Sequence, residues 1–202
     1  MRFLLALIMS ASCGLAGAAG IGLRAGTTGL GADFGWGIAP TLGGRIGISG
    51  GSFNTDVDTS EVTYDAKAKL GMVNGFLDWS PLGPFRLTGG FIANNNTVDL
   101  NGQPTSGGAF IPAGSNLTGT VKPEHSVAPY LGIGYGNVWT PGVNFYFDLG
   151  VMFQGSPKVS LDCSPAGSPQ CNQVAAEQQR VQDELNKYKY YPVLNLGITI
   201  GF

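Results

Sequence analysis

The sequence predicts an all-β protein, an antiparallel transmembrane β-barrel of eight strands. Apolar and polar residues alternate with a period of two in segments 143–154 and 192–202, as they do in strands with two different faces. Almost no helical segment is available to cover the apolar faces. Charged residues make up 12% of the chain, about half the usual share, and 33 of its 202 residues are glycine. Few charges and many small residues are typical of a narrow barrel in lipid.

The last strand shows the alternation most clearly. Leu194, Leu196, Ile198, Ile200 and Phe202 share one parity, and small or polar residues occupy the other. A soluble sheet can show the same pattern when its apolar face covers a core. A membrane barrel instead turns its apolar parity outward to lipid, which needs no helical cover.

Turn lengths indicate how the barrel is oriented. Three tight turns, at Pro40, Pro81 to Pro84 and Pro141, alternate with longer loops at 54–61, 95–126 and 156–189. Outer-membrane barrels have short periplasmic turns and long external loops. Seven spans are clear, and bacterial single-chain barrels have an even number of strands. Either residues 21–26 form a short first strand that turns at Thr27 and Thr28, or the count is larger; we predict eight.

The three tryptophans lie close to the tight turns. Trp36, Trp79 and Trp139 are therefore predicted to form the periplasmic aromatic girdle. Tyr130 is among the aromatic residues expected at the opposite girdle.

Residues 1–19 have the features of a secretory signal, with a basic start, an apolar centre and small residues before the cleavage region. The barrel domain is expected to comprise residues 20–202. Two cysteines of the exported part, Cys163 and Cys171, lie in one loop and are expected to form a disulfide.

Three local features complete the prediction. Segment 173–187 lacks Gly and Pro and is the one credible helix, in an external loop. Segments 97–100 and 117–122 are expected to pair as a hairpin beyond the membrane. The apolar parity of segment 62–79 changes near Met72, which we interpret as a β-bulge.

Strand parity also predicts which residues line the lumen: Asp33, Arg45, Asp65, Lys67, Lys69, Arg86, Tyr146, Asp148 and Asn195. Charges inside a narrow barrel must pair, because an unpaired buried charge is very costly. These residues predict either a salt-bridged plug that stabilises the barrel or a polar path for a small solute.

The mature chain resembles a family of small, largely uncharacterised proteobacterial outer-membrane proteins. The segments GLRAGTTGLGADFGW, VTYDAKAKL, LDWSP, APYLGIGYGN, DLGVMFQGSPKVSL and YPVLNLGITIGF carry the resemblance. The family is similar in size to the OmpW-like and OmpX-like eight-stranded barrels. The resemblance implies a fold, an outer-membrane location in a Gram-negative bacterium, and recognition of the C-terminal strand by the barrel assembly machinery.

The primary function hypothesis is a narrow channel for small solutes. The alternative is a barrel with a plugged lumen whose external loops contact lipopolysaccharide or host partners. The net charge of −2 argues against nucleic acid binding. Glu124, His125 and Ser126 do not have catalytic geometry on a strand, and Asp56, Asp58 and Glu61 lack the spacing of a calcium loop. We therefore predict a protein that is not an enzyme, with no cofactor and no metal.

Overall fold

The computed structural model describes residues 18–58, 62–104, 116–164, 178–179, 182–183 and 185–202. Eleven strands form one antiparallel sheet. They are β1 (Ala19–Gly26), β2 (Gly29–Ala39), β3 (Leu42–Asp58), β4 (Val62–Leu82), β5 (Phe85–Asn94), β6 (Thr97–Pro104), β7 (Asn116–Lys122), β8 (Val127–Tyr135), β9 (Gly142–Met152), β10 (Lys158–Ser164) and β11 (Tyr191–Gly201).

Eight of these strands close into a barrel. The order around it is β1, β2, β3, β4, β5, β8, β9 and β11, and β11 pairs with β1 to complete the ring. The predicted fold class and strand count are confirmed. The first strand is short, as expected, and Thr27 and Thr28 form the turn that leads to β2. Closure leaves the barrel without an unpaired edge.

The barrel exterior is apolar and its interior is polar. Outward side chains of the last strand are well exposed, with Leu196 at 63% and Phe202 at 70%. Phe145 on β9 is 72% exposed, whereas Asp148, three residues later, is 2% exposed. A water-soluble sheet would have the opposite arrangement. Apolar residues facing outward around buried charges are typical of a membrane-spanning barrel.

Part of the barrel wall continues beyond the apolar exterior. The C-terminal end of β3 and the N-terminal end of β4 extend past the barrel. Strands β6, β7 and β10 are added beside them in the order β3, β4, β6, β7, β10. We refer to residues 51–58 of β3, 62–70 of β4 and the whole of β6, β7 and β10 as the external sheet. The pairing of β6 with β7 confirms the predicted hairpin.

A helical segment protects the outer edge of the external sheet. Residues 178–179, 182–183 and 185 are helical, within the predicted helix. Gln182 Oε1 accepts a hydrogen bond from Val159 N at 3.1 Å and its Nε2 donates to Pro157 O at 2.8 Å, while Gln178 Oε1 accepts from Leu161 N at 3.3 Å. The two glutamines therefore occupy edge groups of β10 that another strand could pair with.

Among the described residues, no helix is long and apolar enough to cross a membrane.

The longest strand, β4, contradicts one sequence interpretation. Its pairing with β3 runs without a register shift from Thr63 to Trp79, so the bulge predicted near Met72 is absent. Lys67 and Lys69 consequently share the outward side of Val73, and both are exposed. Their prediction as lumen residues is wrong, because the strand leaves the apolar zone and the polarity of its two faces reverses there.

Candidate functional site

Arg45 lies at the centre of the lumen and contacts two aspartates. It is fully buried, and its Nε donates to Asp78 Oδ2 at 2.9 Å. Its two terminal nitrogens form a forked pair with Asp148, at 2.8 Å for Nη1 to Oδ2 and 3.1 Å for Nη2 to Oδ1. Its guanidinium carbon also lies 5.0 Å from the centroid of the Phe76 ring. Planar forked pairing of this kind is the strongest geometry available to an arginine.

A second cluster joins the first two strands to β4 and β9. Arg24 Nη1 donates to Asp33 Oδ1 at 2.5 Å, and its Nη2 donates to Asn74 Oδ1 at 2.6 Å. The hydroxyl of Tyr146 donates to the other oxygen of Asp33 at 2.6 Å. Arg45 Nη1 lies 4.0 Å from that same Oδ2 atom, which links the two clusters.

Arg86 on β5 closes the network from the opposite side. Its Nη2 donates to Asp148 Oδ1, its Nη1 donates to the carbonyl of Gly136, and its Nε lies 3.4 Å from Asp78 Oδ1. Thr88 Oγ1 donates to that Asp78 oxygen at 2.6 Å.

Three arginines and three aspartates thus balance their charges inside the barrel, and each charge has a partner. We call Arg24, Asp33, Arg45, Asp78, Arg86 and Asp148 the lumen network.

Inward-facing glycines give large side chains room to cross the narrow interior. The ring of Tyr146 lies against Gly22 and Gly197, and a Cβ at Gly197 would overlap it. Tyr130 is buried and its hydroxyl lies over Gly132 and Gly150. Tyr130 is therefore an interior residue and not part of the predicted outer girdle. The glycine-rich inner face of β8 accommodates this ring, which lies inward from the same strand.

An apolar cluster fills the part of the barrel nearest the external sheet. It contains Met72, Phe76, Ile92, Ala128, Tyr130, Met152 and Val193, all buried. The rings of Phe76 and Tyr130 have centroids 4.7 Å apart. Between this cluster and the lumen network lies a cavity of about 10 Å³, lined in part by Arg24 and Ser49. A cavity of this size can hold about one water molecule.

The opposite end of the barrel is filled by Val138 and Trp139, which lie between β8 and β9. Trp139 is 8% exposed and its ring lies against Gly43, where a Cβ would overlap it. The prediction of Trp139 as a girdle residue is therefore wrong, because the segment folds under the barrel instead of facing outward. Trp79 is half-exposed on the outer surface, and Trp36 is partly buried, with its ring stacked on Phe34 at 5.9 Å between centroids.

The structure brings six of the nine predicted lumen residues together inside the barrel: Asp33, Arg45, Arg86, Tyr146, Asp148 and Asn195. Asn195 Oδ1 accepts a hydrogen bond from Thr28 Oγ1 at 2.8 Å. Lys67 and Lys69 lie outside, as described above. The side chain of Asp65 lies outside the described part of the chain.

Arg24 and Asp78 complete the network, and both are buried on the inward parity of their strands. Both follow from the parity rule, since Leu23 and Ala25 face outward on either side of Arg24, and Leu77 and Trp79 face outward on either side of Asp78. The neutral partners Asn74 and Thr88 lie on the same inward parity and are also buried.

Within the described part of the chain, the remaining sequence candidates do not form a second site. Glu124 accepts a hydrogen bond from Ser156 N at 2.9 Å and lies 4.0 Å from His125 Nε2, and the His125 side chain is 57% exposed. The predicted pairing of Cys163 with Cys171 and the acidic side chains of loop 54–61 lie outside what the structure describes, apart from the strand backbone.

Two crystal structures of Acinetobacter baumannii proteins are similar to this chain over nearly its full length. CarO2 is 22% identical, with 92% of this chain and 98% of that chain covered and a TM-score of 0.66. CarO is 24% identical, with 91% and 97% covered and a TM-score of 0.65. No protein-family model matches the sequence, and no curated protein matches it. Together with the apolar exterior, the shared fold makes this chain a β-barrel of the outer-membrane type.

Proposed function

We propose that the protein is a closed barrel of the Gram-negative outer membrane that holds the external sheet at the cell surface. The barrel spans the membrane through its apolar exterior, with the short turns in the periplasm and the external sheet outside. Phe202, which is exposed at the end of β11, fits recognition of that strand by the barrel assembly machinery.

The observation that carries the proposal is the lumen network. Arginines and aspartates from β1, β2, β3, β4, β5 and β9 meet across the interior, so the ion pairs bridge most of the barrel circumference. The apolar cluster lies on one side of them and Trp139 on the other. Each layer opposes the passage of a hydrated solute, since breaking a buried ion pair leaves a charge without compensation.

A narrow solute channel remains the competing hypothesis from the sequence. It would require the lumen network to separate, the apolar cluster to move and Trp139 to leave the periplasmic mouth. In the closed barrel, function lies in the external sheet and its contacts, and the lumen contributes stability. The proposal assigns no enzymatic activity to the protein.

Single-channel recording in planar lipid bilayers tests this proposal. We expect the folded wild-type protein to give no conductance above the lipid background. The double variant Arg45→Ser/Asp148→Ser removes a complete ion pair and keeps the interior neutral. If it stays folded, as judged by heat-dependent gel mobility, conductance steps in the variant alone would support a plug. Discrete conductance steps from the wild type would support the channel instead.

A further inference from the structure

The outward face of the external sheet carries a row of lysines at the end nearest the barrel. Lys69 on β4 pairs with Thr97 on β6, and Lys122 on β7 pairs directly with Lys158 on β10. Because Val98 pairs with Val121, these positions lie at one level across the sheet. We call Lys69, Lys122 and Lys158 the lysine row. Strand spacing places Lys69 about 10 Å from Lys122.

The lysine row faces the same side as the lipid-facing surface below it. Lys69 and Val73 share a parity on β4, and the register between them is uninterrupted. Val73 is 56% exposed in the apolar exterior. Four residues of strand span about 13 Å, so Lys69 lies just above the acyl zone, where lipid phosphates are found.

On this face the acidic residues lie farther from the barrel than the lysine row. The next row up contains Lys67 and Asp99, and Asp162 lies farther out on β10. Asp99 pairs with Lys69 at 2.8 Å, so one acid is already engaged. Among the described residues, the structure records no salt bridge for Lys67, Lys122 or Lys158. Glu124, two residues after Lys122, is engaged by Ser156 N.

The direct pairing of Lys122 with Lys158 is unfavourable in the protein alone. Like charges opposite each other on neighbouring strands destabilise a sheet. An anion between the two ammonium groups would reverse the sign of that interaction. Phosphate accepts hydrogen bonds on several oxygens and can bridge two lysines.

We propose that the lysine row binds phosphate groups of lipids in the outer leaflet. The partner chemistry is a phosphorylated glycolipid such as lipid A, whose phosphates lie at the level where the acyl zone ends. This inference depends on the proposed function, because it uses the orientation that places the external sheet outside the cell. It assigns Lys122 and Lys158 as the bridging pair and Lys69 as a flanking contact.

Native mass spectrometry of the full barrel in detergent, titrated with bisphosphorylated lipid A, tests this assignment. We expect the double variant Lys122→Gln/Lys158→Gln to bind roughly tenfold more weakly than the wild type. The control Lys187→Gln/Lys189→Gln removes the same charge from the segment before β11 and should bind like the wild type. Fully dephosphorylated lipid A should bind the wild type and the test variant equally weakly.

Equal losses in the test and control variants would overturn the proposal, because net charge would then explain binding. Equal binding of phosphorylated and dephosphorylated lipid would also overturn it. A parallel titration with inorganic pyrophosphate separates the sources of phosphate, and tight lysine-dependent binding of pyrophosphate alone would contradict the assignment to lipid. Conductance recorded from the same wild-type preparation would overturn the closed barrel while leaving the lipid result intact.

Discussion

The barrel and the external sheet share strands β3 and β4, but along β4 the polar and apolar faces are exchanged between the two regions. In the barrel part of β4, Val73 and Leu77 face outward and are exposed, while Asn74 and Asp78 are buried inside. In the external part of the same strand, Lys69 faces outward and Leu70 is partly buried on the inner side. Because the register is continuous, only the surrounding solvent changes. The polarity of each face of a strand therefore depends on whether that face contacts lipid, water or the protein interior. The point at which the outward residues of β4 change from apolar to charged marks the membrane surface.

The two regions also use ion pairs differently. In the barrel, arginines and aspartates are buried and joined into one network, so removal of one partner leaves uncompensated charge. In the external sheet, the pair of Lys69 and Asp99 is exposed to water, which screens it. The following predictions test this contrast, from the largest expected effect to the smallest.

Replacement of Arg45 with Ala should cause the largest loss of stability. The change leaves Asp78 and Asp148 facing each other with only Arg86 between them. We expect the free energy of unfolding to fall by about 3–5 kcal/mol, as for other broken buried pairs. Urea unfolding in lipid vesicles, followed by tryptophan fluorescence, measures it. A loss below about 1 kcal/mol, the value of a surface pair, would contradict a buried network.

Leu196→Arg should cause the next largest loss. Leu196 lies midway along β11 on the outward face, so the substitution places a charge in the acyl zone. The expected cost is about 2–4 kcal/mol in vesicles. Ser160→Arg is the control, since Ser160 faces outward in the external sheet and its replacement should change stability by less than about 0.5 kcal/mol. Similar costs at both sites would contradict the assigned membrane surface.

Gln182→Leu should loosen the edge of the external sheet and leave the barrel intact. The variant loses the hydrogen bonds with Val159 N and Pro157 O. A buried amide without a partner costs about 1–3 kcal/mol, so hydrogen exchange at Val159 should accelerate accordingly. Asp183→Ala, at the next and exposed helical position, serves as the control. Unchanged exchange at Val159 would show that the glutamine does not protect this edge.

Lys69→Ala should have the smallest effect on stability. The side chain is 56% exposed and its bridge to Asp99 is screened by water, so the expected change is about 0–1 kcal/mol. The same urea assay measures it, and the effect should shrink further at high salt. A loss as large as that of Arg45→Ala would show that the external pair is part of the structural core.

Much of the barrel was predictable because lipid enforces a strict rule. Every outward residue of β9 and β11 must be apolar and every buried charge must be paired, so parity alone located Arg45 and Asp148. The eighth strand followed from the requirement for closure. These predictions needed no knowledge of distant contacts.

One error arose where parity was preserved but the solvent changed. Lys67 and Lys69 were assigned to the lumen because a bulge was assumed where the strand leaves the membrane. Trp139 was assigned to the girdle because it lies close to a tight turn. Proximity to a turn does not reveal which way a side chain faces. Tyr130 was assigned to the outer girdle because it lies near a strand end. Leu131 and Ile133 face outward, however, so the parity of β8 already places Tyr130 inward, where its hydroxyl lies over Gly132 and Gly150.

The most direct test of the reversal along β4 is a spin-label scan of its outward positions. Single cysteines at Lys69, Val73 and Leu77, in a chain whose own cysteines are replaced by serine, would carry the label in lipid vesicles. Collision rates with oxygen and with a water-soluble nickel complex report lipid and water, respectively. We predict that labels at Val73 and Leu77 meet oxygen and the label at Lys69 meets nickel. Protection of the Lys69 label from both reagents would place it in the lumen and contradict the account.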